Sequence, residues 1–347
     1  MTRIVTLGEI LLRLKSPQFE RLFQSPLLEA TFGGGEANVA VSLARFGLDA
    51  AFVTMLPNNP IGEAAVAELR RQGVDISLMV RGGERVGIYF LETGANQRPS
   101  IVLYDRSHSS IAEADPGLFD WETIFKGADW FHLSGITPAL SQSAANLSLQ
   151  AVQAAKQRGV TVSCDYNYRG KLWKYGRSAP EVMRDLVRSI DVGIAGGEDC
   201  QHAVGVTIEG EKDRAQAAPG EIPLARYEAL CRNMFAAFPN LKYQAITLRK
   251  SHSASHNEWS ACLFNGRAFF ASTTYELTHI VDRVGTGDSF AAGLIYGLAT
   301  GMGEQEALNF AVAASALKHT IPGDLNLVTF AEVQHLISGD ITGRVQR

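Results

Sequence analysis

The run Asp282-Arg283-Val284-Gly285-Thr286-Gly287-Asp288-Ser289-Phe290 concentrates more chemistry than any other stretch of this 347-residue chain. Beyond Asp288, the residues Phe290, Leu294 and Leu298 recur at helical spacing with Ala291 and Ile295, so Gly285-Thr286-Gly287 falls at a helix N-terminus. Unpaired N–H groups and the positive end of the helix dipole make an anion site there, and glycine lets a phosphoryl group approach the backbone. Asp288, at the same point, is placed to take a proton from an incoming hydroxyl. A plainer arrangement fits the same letters, with Asp288 capping the helix and the glycines forming a turn. Two other glycine devices are excluded. A dinucleotide-binding G-x-G-x-x-G from Gly285 would need glycine where Phe290 stands, and Gly170-Lys171 lacks both the upstream glycine and the following hydroxyl residue of a P-loop.

A second glycine cluster, Gly33-Gly34-Gly35, precedes Glu36-Ala37-Asn38-Val39-Ala40. Glycine is in excess overall, with 33 present against roughly 24 at the average usage of about 7%. Other chemistry is sparse. Cys164, Cys200, Cys231 and Cys262 stand more than thirty residues apart and suggest neither a disulfide framework nor a zinc site. His252 and His256 have the spacing of a metal pair, but serines surround them and a solvated loop is the expectation. With 32 Lys and Arg against 36 Asp and Glu, the net charge is −4, which argues against a nucleic-acid partner. The apolar run from Ile4 is broken by Glu9, Arg13 and Lys15, too soon for a signal peptide or membrane span, so a cytoplasmic protein with no membrane partner is expected.

The elements that must position these residues alternate. Strands are expected at 4–7, 51–55, 130–133, 160–165 and 192–195, and helices at about 35–46, 62–72, 142–157 and 181–190. On the first helix Val39, Leu43 and Phe46 share a face, and Gly47 is a C-cap candidate. Such β-α alternation predicts an α/β fold, a mainly parallel sheet with helices on both faces. Residues 86–92 and 100–104 read as strands paired around Gly94-Ala95-Asn96. Residues 245–248, 260–264 and 268–272 suggest an antiparallel edge with Asn265-Gly266 as a hairpin turn. Helices follow at 289–299, 304–319 and 330–337, and the charged, proline-containing 207–223 reads as a surface insertion.

Gly285-Thr286-Gly287-Asp288-Ser289-Phe290 resembles the C-terminal signature of the ribokinase-like carbohydrate kinases, the phosphofructokinase B type, and residues 33–40 resemble their N-terminal signature. The two occur in the family's order, and the α/β pattern agrees over nearly the whole chain. The resemblance implies a ribokinase-like three-layer sandwich in one domain, residues 1–347, with a small β-sheet lid formed by about 9–32 and 85–106. It implies ATP-dependent phosphorylation of a sugar hydroxyl with Mg²⁺, and K⁺ as a further candidate cation. It makes Asp288 the catalytic base and the backbone of Gly285, Thr286 and Gly287 an anion hole. Gly34, Gly35 and Asn38 match sugar contacts, and Thr247, Arg249 and Lys250 lie in the nucleotide stretch.

Four further stretches resemble one branch of that family, the 2-keto-3-deoxygluconate kinases: Tyr104-Asp105-Arg106 after a strand containing Tyr89, residues 133–137, Asp165-Tyr166-Asn167-Tyr168-Arg169, and Pro322-Gly323-Asp324. The resemblance puts Tyr89, Tyr104, Arg106, Arg169 and Asp324 around a sugar acid, whose carboxylate suits the planar fork of arginine. Asn167 and Arg169 are also within reach of ATP phosphates, which leaves Arg169 open between substrate and nucleotide. Where many members carry N-x-x-E, this chain reads Gly196-Gly197-Glu198-Asp199, with glycine in place of asparagine. Glu198 or Asp199 would then act on Mg²⁺ through water. The expectation is a sugar-acid kinase acting on 2-keto-3-deoxygluconate at its 6-hydroxyl, with self-association through a lid face bearing Ile88, Phe90, Ile101 and Leu103. A kinase of a neutral ketose such as fructose and a non-catalytic sugar-binding relative stay open.

Overall fold

The computed structural model describes residues 2–208 and 223–339. In chain order the elements are β1 (Arg3–Leu7), β2 (Leu11–Lys15), β3 (Glu29–Gly33), α1 (Gly35–Arg45), β4 (Asp49–Val53), β5 (Met55–Leu56), α2 (Pro60–Arg71), β6 (Val80–Arg81), β7 (Gly87–Glu92) and β8 (Ile101–Asp105). Next come α3 (Trp121–Ile124), β9 (Trp130–Ser134), α4 (Gln142–Gln157), β10 (Thr161–Asp165), α5 (Ala179–Val187), β11 (Val192–Ala195) and α6 (Asp199–Val204). The last third holds α7 (Leu224–Ala237), β12 (Tyr243–Ser253), β13 (His256–Phe264), β14 (Phe269–Ala271), β15 (Tyr275–Leu277), α8 (Thr286–Ala299), α9 (Glu304–Lys318) and α10 (Phe330–Ile337).

A nine-stranded sheet runs β14-β13-β12-β11-β10-β9-β1-β4, with β15 also paired to β13. From β12 to β4 every pairing is parallel, and β13 to β15 add the expected antiparallel edge. Parallel strands covered on both faces read as continuous apolar runs, which is why Val192–Ala195 is buried at every position. One face packs Phe131, Leu147, Val152 and Met183, and the other packs Val39, Leu43, Phe290, Leu294 and Phe310. The result is the three-layer α/β sandwich. Gly47 has φ of 90° after α1, as its C-cap role requires. Asn265 and Gly266 join β13 to β14.

A separate four-stranded sheet has the order β3-β2-β7-β8. Its β7 and β8 pair as expected, whereas β2 and β3 carry little periodic signal of their own. Side chains alternate along β2 and β7, where Leu11, Arg13, Tyr89 and Leu91 are buried, whereas β8 is exposed along its whole length.

Several boundaries differ from expectation for local reasons. Helix α5 starts two residues earlier than residue 181 because Ser178 and Glu181 form a capping box with Pro180 in the first turn. It stops at Val187, where the Asn240 amide donates to the carbonyls of Val187 and Ile190 at 2.8 and 2.7 Å. Helices α6 and α7 were not legible from periodicity. His252 and His256 lie on strands β12 and β13, not in a loop, with ring centroids 4.5 Å apart. Each pairs with a carboxylate, Glu258 at 2.7 Å and Glu276 at 3.2 Å. The surface insertion expected at 207–223 lies outside the described residues except at its ends. Among the described residues, no helix is long and apolar enough to cross a membrane.

Candidate active site

A cleft of about 940 Å³ opens between the small sheet and the C-terminal ends of β1, β9, β10 and β11, where open α/β sheets place ligands. Gly34, Gly35 and Asn38 line it from α1, and Tyr89, Tyr104 and Arg106 from the small sheet. Asn167, Arg169, Glu198, Asp199, Thr247, Arg249, Asp324 and the run from Ile280 to Asp288 complete the wall. Of the site residues named from sequence, Lys250 alone is not brought to the cleft. Its Nζ lies 2.8 Å from Glu258 Oε1 on the neighbouring strand, because alternation along β12 turns it away from Arg249.

Gly285 begins α8 in the left-handed conformation, with φ of 81°. The first helical bond is donated by Ser289 N to the Gly285 carbonyl at 2.9 Å, so the N–H groups before it have no intrahelical partner. The two glycines here differ in what demands them. A Cβ on Gly285 would lie 2.0 Å from the Asp324 carbonyl oxygen, whereas a Cβ on Gly287 would meet no protein atom within 4 Å. The fold requires the first glycine. The second leaves open space on the cleft side of the helix start. We expect Gly287→Ala to keep or slightly raise the melting temperature while lowering kcat/KM by up to about a hundredfold, as loss of anion stabilisation does. Thermal unfolding and steady-state assays on the same preparation check both halves.

The Asp288 carboxylate accepts a 2.7 Å hydrogen bond from Asn38 Nδ2, and Asn38 Oδ1 accepts from Gly34 N at 3.2 Å. Asn38 therefore links the two glycine clusters, with its amide committed to Gly34 and Asp288. Asp288 is pushed up to about 7, first by removal from water and then by the nearby Asp324 and Glu36 carboxyls. The Asn38 hydrogen bond and Arg169 pull the other way. Glu36 is itself buried, accepting from Ser134 N and Oγ and from Thr137 Oγ1, which ties α1 to β9.

Behind this wall lies a buried charged network that sequence reasoning missed. Arg13 on β2 donates to Asp324 Oδ1 at 2.6 Å and to Asp282 Oδ2 at 2.5 Å. Tyr89 Oη donates to the same Asp324 oxygen at 2.5 Å. Asp324, expected to accept from sugar hydroxyls, thus has one oxygen committed within the protein. Burial raises its pKa, and Arg13 works against that rise. The Lys318 ammonium, fully buried, donates to the carbonyls of Ile321 and Gly323 at 3.0 and 2.8 Å, and Gly323 N donates to Asp282. The small sheet, the loop entering Gly285 and the turn carrying Asp324 are held as one unit.

Arg169, Arg226, Arg249 and Arg283 line the other half of the cleft. Arg169 follows β10, Arg249 projects from β12, and Arg283, also missed from sequence as a site residue, precedes Gly285. Loss of water and then the like charge of Arg169 lower the Arg249 pKa, and Arg249 acts in the same way on Arg283. Such a cluster calls for a polyanion. Beside it, Asn167 is in the left-handed region at φ 38°, and its N–H and amide both reach Asp165. Burial, then Asp199 and Asp288, push the Asp165 carboxyl well above its usual range. Asp199 accepts from Gly196 N at 2.7 Å and Tyr168 N at 3.2 Å, while Glu198 is exposed in the cleft. Among the described residues, no group of three or more His, Cys, Asp or Glu could by itself hold a metal ion. A Cβ on Gly196 would lie 3.0 Å from Asp199 Oδ2, so an asparagine there would press on that carboxylate.

On the small-sheet side, Arg106 is buried and donates through Nε, at 2.8 Å, and Nη2 to Glu9 Oε2. Its guanidinium carbon lies 5.2 Å from the centre of the Tyr104 ring.

The chain is similar to known proteins over nearly its whole length. The description "pfkB family carbohydrate kinase" matches residues 1–225 and 260–328. The chain is 31% identical to a 2-dehydro-3-deoxygalactonokinase of Haloferax volcanii over 98% of each chain. It is 25% identical to a 2-dehydro-3-deoxygluconokinase of Bacillus subtilis over 93% of this chain and 91% of that one. Among solved structures, a 2-dehydro-3-deoxygluconokinase of Thermotoga maritima superposes with a TM-score of 0.90 at 47% identity, covering 98% of this chain and all of that one.

Proposed function

The chain belongs to the pfkB family of carbohydrate kinases, and within it we propose an ATP-dependent kinase of 2-keto-3-deoxy sugar acids, with 2-keto-3-deoxygluconate as the substrate. The observation that carries this reading is the Asp288 carboxyl, held by the Asn38 amide at 2.7 Å beside the open first turn of α8. Arg106 waits across the same cleft.

Asp288 takes the proton of the terminal sugar hydroxyl as the oxygen attacks the γ-phosphorus of ATP. One O–P bond forms, the bond from phosphorus to the β,γ-bridging oxygen breaks, and ADP leaves. The N–H groups at Gly285, Thr286 and Gly287 stabilise charge on the transferred group, and Arg169, Arg249 and Arg283 hold the polyphosphate. Thr247 and Asn167 shape the nucleotide side of the cleft. Gly34, Gly35, Tyr89 and Tyr104 enclose the sugar, and Asp324 positions Tyr89. Magnesium bound with the nucleotide would neutralise phosphate charge, with Glu198 the acidic group free to reach its waters and Asp199 held back by two N–H groups.

The substrate carboxylate is assigned to Arg106. Arg106→Ala is expected to raise KM for 2-keto-3-deoxygluconate by about 10–100-fold, the worth of hydrogen bonds to a charged group, with kcat changed much less. Assays on the sugar acid and on fructose decide. Equal small effects on both would leave a neutral ketose as substrate, the second reading, which Glu9 favours by already pairing with Arg106.

Self-association is assigned to the outer face of the small sheet, the lid of this reading, where Ile101 and Leu103 are exposed at 38% and 54%. Phe90 pairs with Leu103 across β7 and β8 on that face. Leu103→Asp is expected to lower the mass seen by light scattering, and an unchanged mass would place any interface elsewhere.

A further inference from the structure

Glu9 stands two residues beyond the end of β1, 3% exposed, and lines the cleft. Its two carboxylate oxygens have different fates. Oε2 takes both hydrogen bonds from the side edge of the Arg106 guanidinium, through Nε and Nη2. Oε1 is buried with no hydrogen-bond partner. Two glycines make room for Glu9. A Cβ on Gly87, at the start of β7, would lie 2.7 Å from Oε1, and a Cβ on Gly34 would lie 1.9 Å from the Glu9 carbonyl oxygen. A buried carboxylate oxygen left without a donor is destabilising. A charge offsetting Arg106 would also weaken the attraction of any carboxylate that binds there. Contact of Glu9 with the substrate would offset both penalties.

We propose that Glu9 is a specificity-determining residue: Oε2 fixes Arg106 so that its outer edge faces the substrate carboxylate, and Oε1 accepts a hydrogen bond from a chain hydroxyl of the same sugar acid. Together the pair holds a two-donor fork and an unpaired, buried acceptor side by side. It therefore recognises a carboxylate and a hydroxyl held on one short chain. A deoxy analogue lacking that hydroxyl leaves Oε1 unpaired, and a neutral sugar leaves the fork unpaired. This inference rests on the assignment of the substrate carboxylate to Arg106, and its test separates the two.

The test compares kcat/KM for 2-keto-3-deoxygluconate, its 4-epimer, and its 4-deoxy and 5-deoxy analogues, in the wild type and in Glu9→Gln. In the wild type, loss or inversion of one hydroxyl is expected to lower kcat/KM by about 10–100-fold, the worth of one unpaired charged acceptor. In Glu9→Gln, which replaces the charged acceptor by a neutral amide, that ratio should shrink. A merely structural role would lower all four values together and leave the ratio unchanged, which would overturn the proposal, as would a wild type indifferent to both hydroxyls. Arg106→Ala should instead weaken all the acids alike and preserve the hydroxyl ratio, so failure of the carboxylate assignment is read separately. A crystal structure of the wild type with the sugar acid decides even if Glu9→Gln does not fold. A substrate hydroxyl within hydrogen-bond distance of Oε1 supports the proposal, and any other occupant of that space refutes it.

Discussion

Asp288→Asn is expected to lower kcat by about 10²–10⁴-fold, the range for removing a general base, while the dissociation constant for the sugar acid stays within a few fold. The asparagine is nearly isosteric and still meets Asn38, so sugar and nucleotide surfaces are kept, and only the capacity to take a proton is lost. Calorimetric titration beside the coupled assay separates the two, and retained turnover would remove Asp288 from the base role. Titration gives a second signature. With the carboxyl pushed up to about 7, only its ionised form can act, so kcat/KM should rise with pH through that value and level off above it. The stability sign is opposite. An acid whose folded pKa lies above its ordinary 3.8 costs no stability at low pH and a growing amount as pH rises between the two values. Asp288→Asn should therefore unfold no earlier than the wild type at pH 8, and a clear loss of stability there would mean that inactivity reflects damage to the fold.

The same residues show how far the sequence could be read. Helix α4, strand β11 and helix α10 lie where periodicity placed them, because local pattern and caps such as Ser141 and Thr329 coincide there. The Gly285 run was legible because helix start, glycine and aspartate are adjacent in the chain. Glu9 and Arg13 were not. In the sequence they only interrupt an apolar run, and charged side chains mostly face water. The register reverses this, since Leu11 and Arg13 form the buried face. The partners that make an arginine tolerable there lie 269 and 311 residues away, and the arginine paired with Glu9 lies 97 away. No local pattern reports such distances. The glycine surplus divides in the same way: spacing found the clusters, but only the packing distinguishes Gly285, which the fold demands, from Gly287, which faces open space.

Arg13→Met should produce the largest loss of stability of any single substitution in the site, roughly 3–5 kcal/mol, as removal of one partner from a buried ion pair does. Methionine fills much of the volume but leaves Asp282 and Asp324, 6% and 4% exposed, without their shared guanidinium, though Lys318 stays close enough to interact with both. Burial already raises the Asp324 pKa, and Arg13 is the strongest influence holding it down, so the substitution should raise it further. For a carboxyl raised in this way the cost is absent while the group is protonated in both states, and it grows as pH rises toward the folded value. The gap between wild type and Arg13→Met should therefore be smaller at pH 5 than at pH 8, measured as urea midpoints at the two pH values. A gap independent of pH would assign the loss to packing and dismiss the charge account. Activity should fall with stability for a definite reason. Asp282 accepts from Val284 N at 3.1 Å and Gly323 N at 3.0 Å, shaping the loop that enters Gly285. Tyr89 shares Asp324 with Arg13. One arginine on the small sheet thus fixes both the wall assigned to the sugar and the backbone assigned to the phosphoryl group, so its loss should lower kcat and raise the sugar KM together, which neither Asp288→Asn nor Arg106→Ala is expected to do.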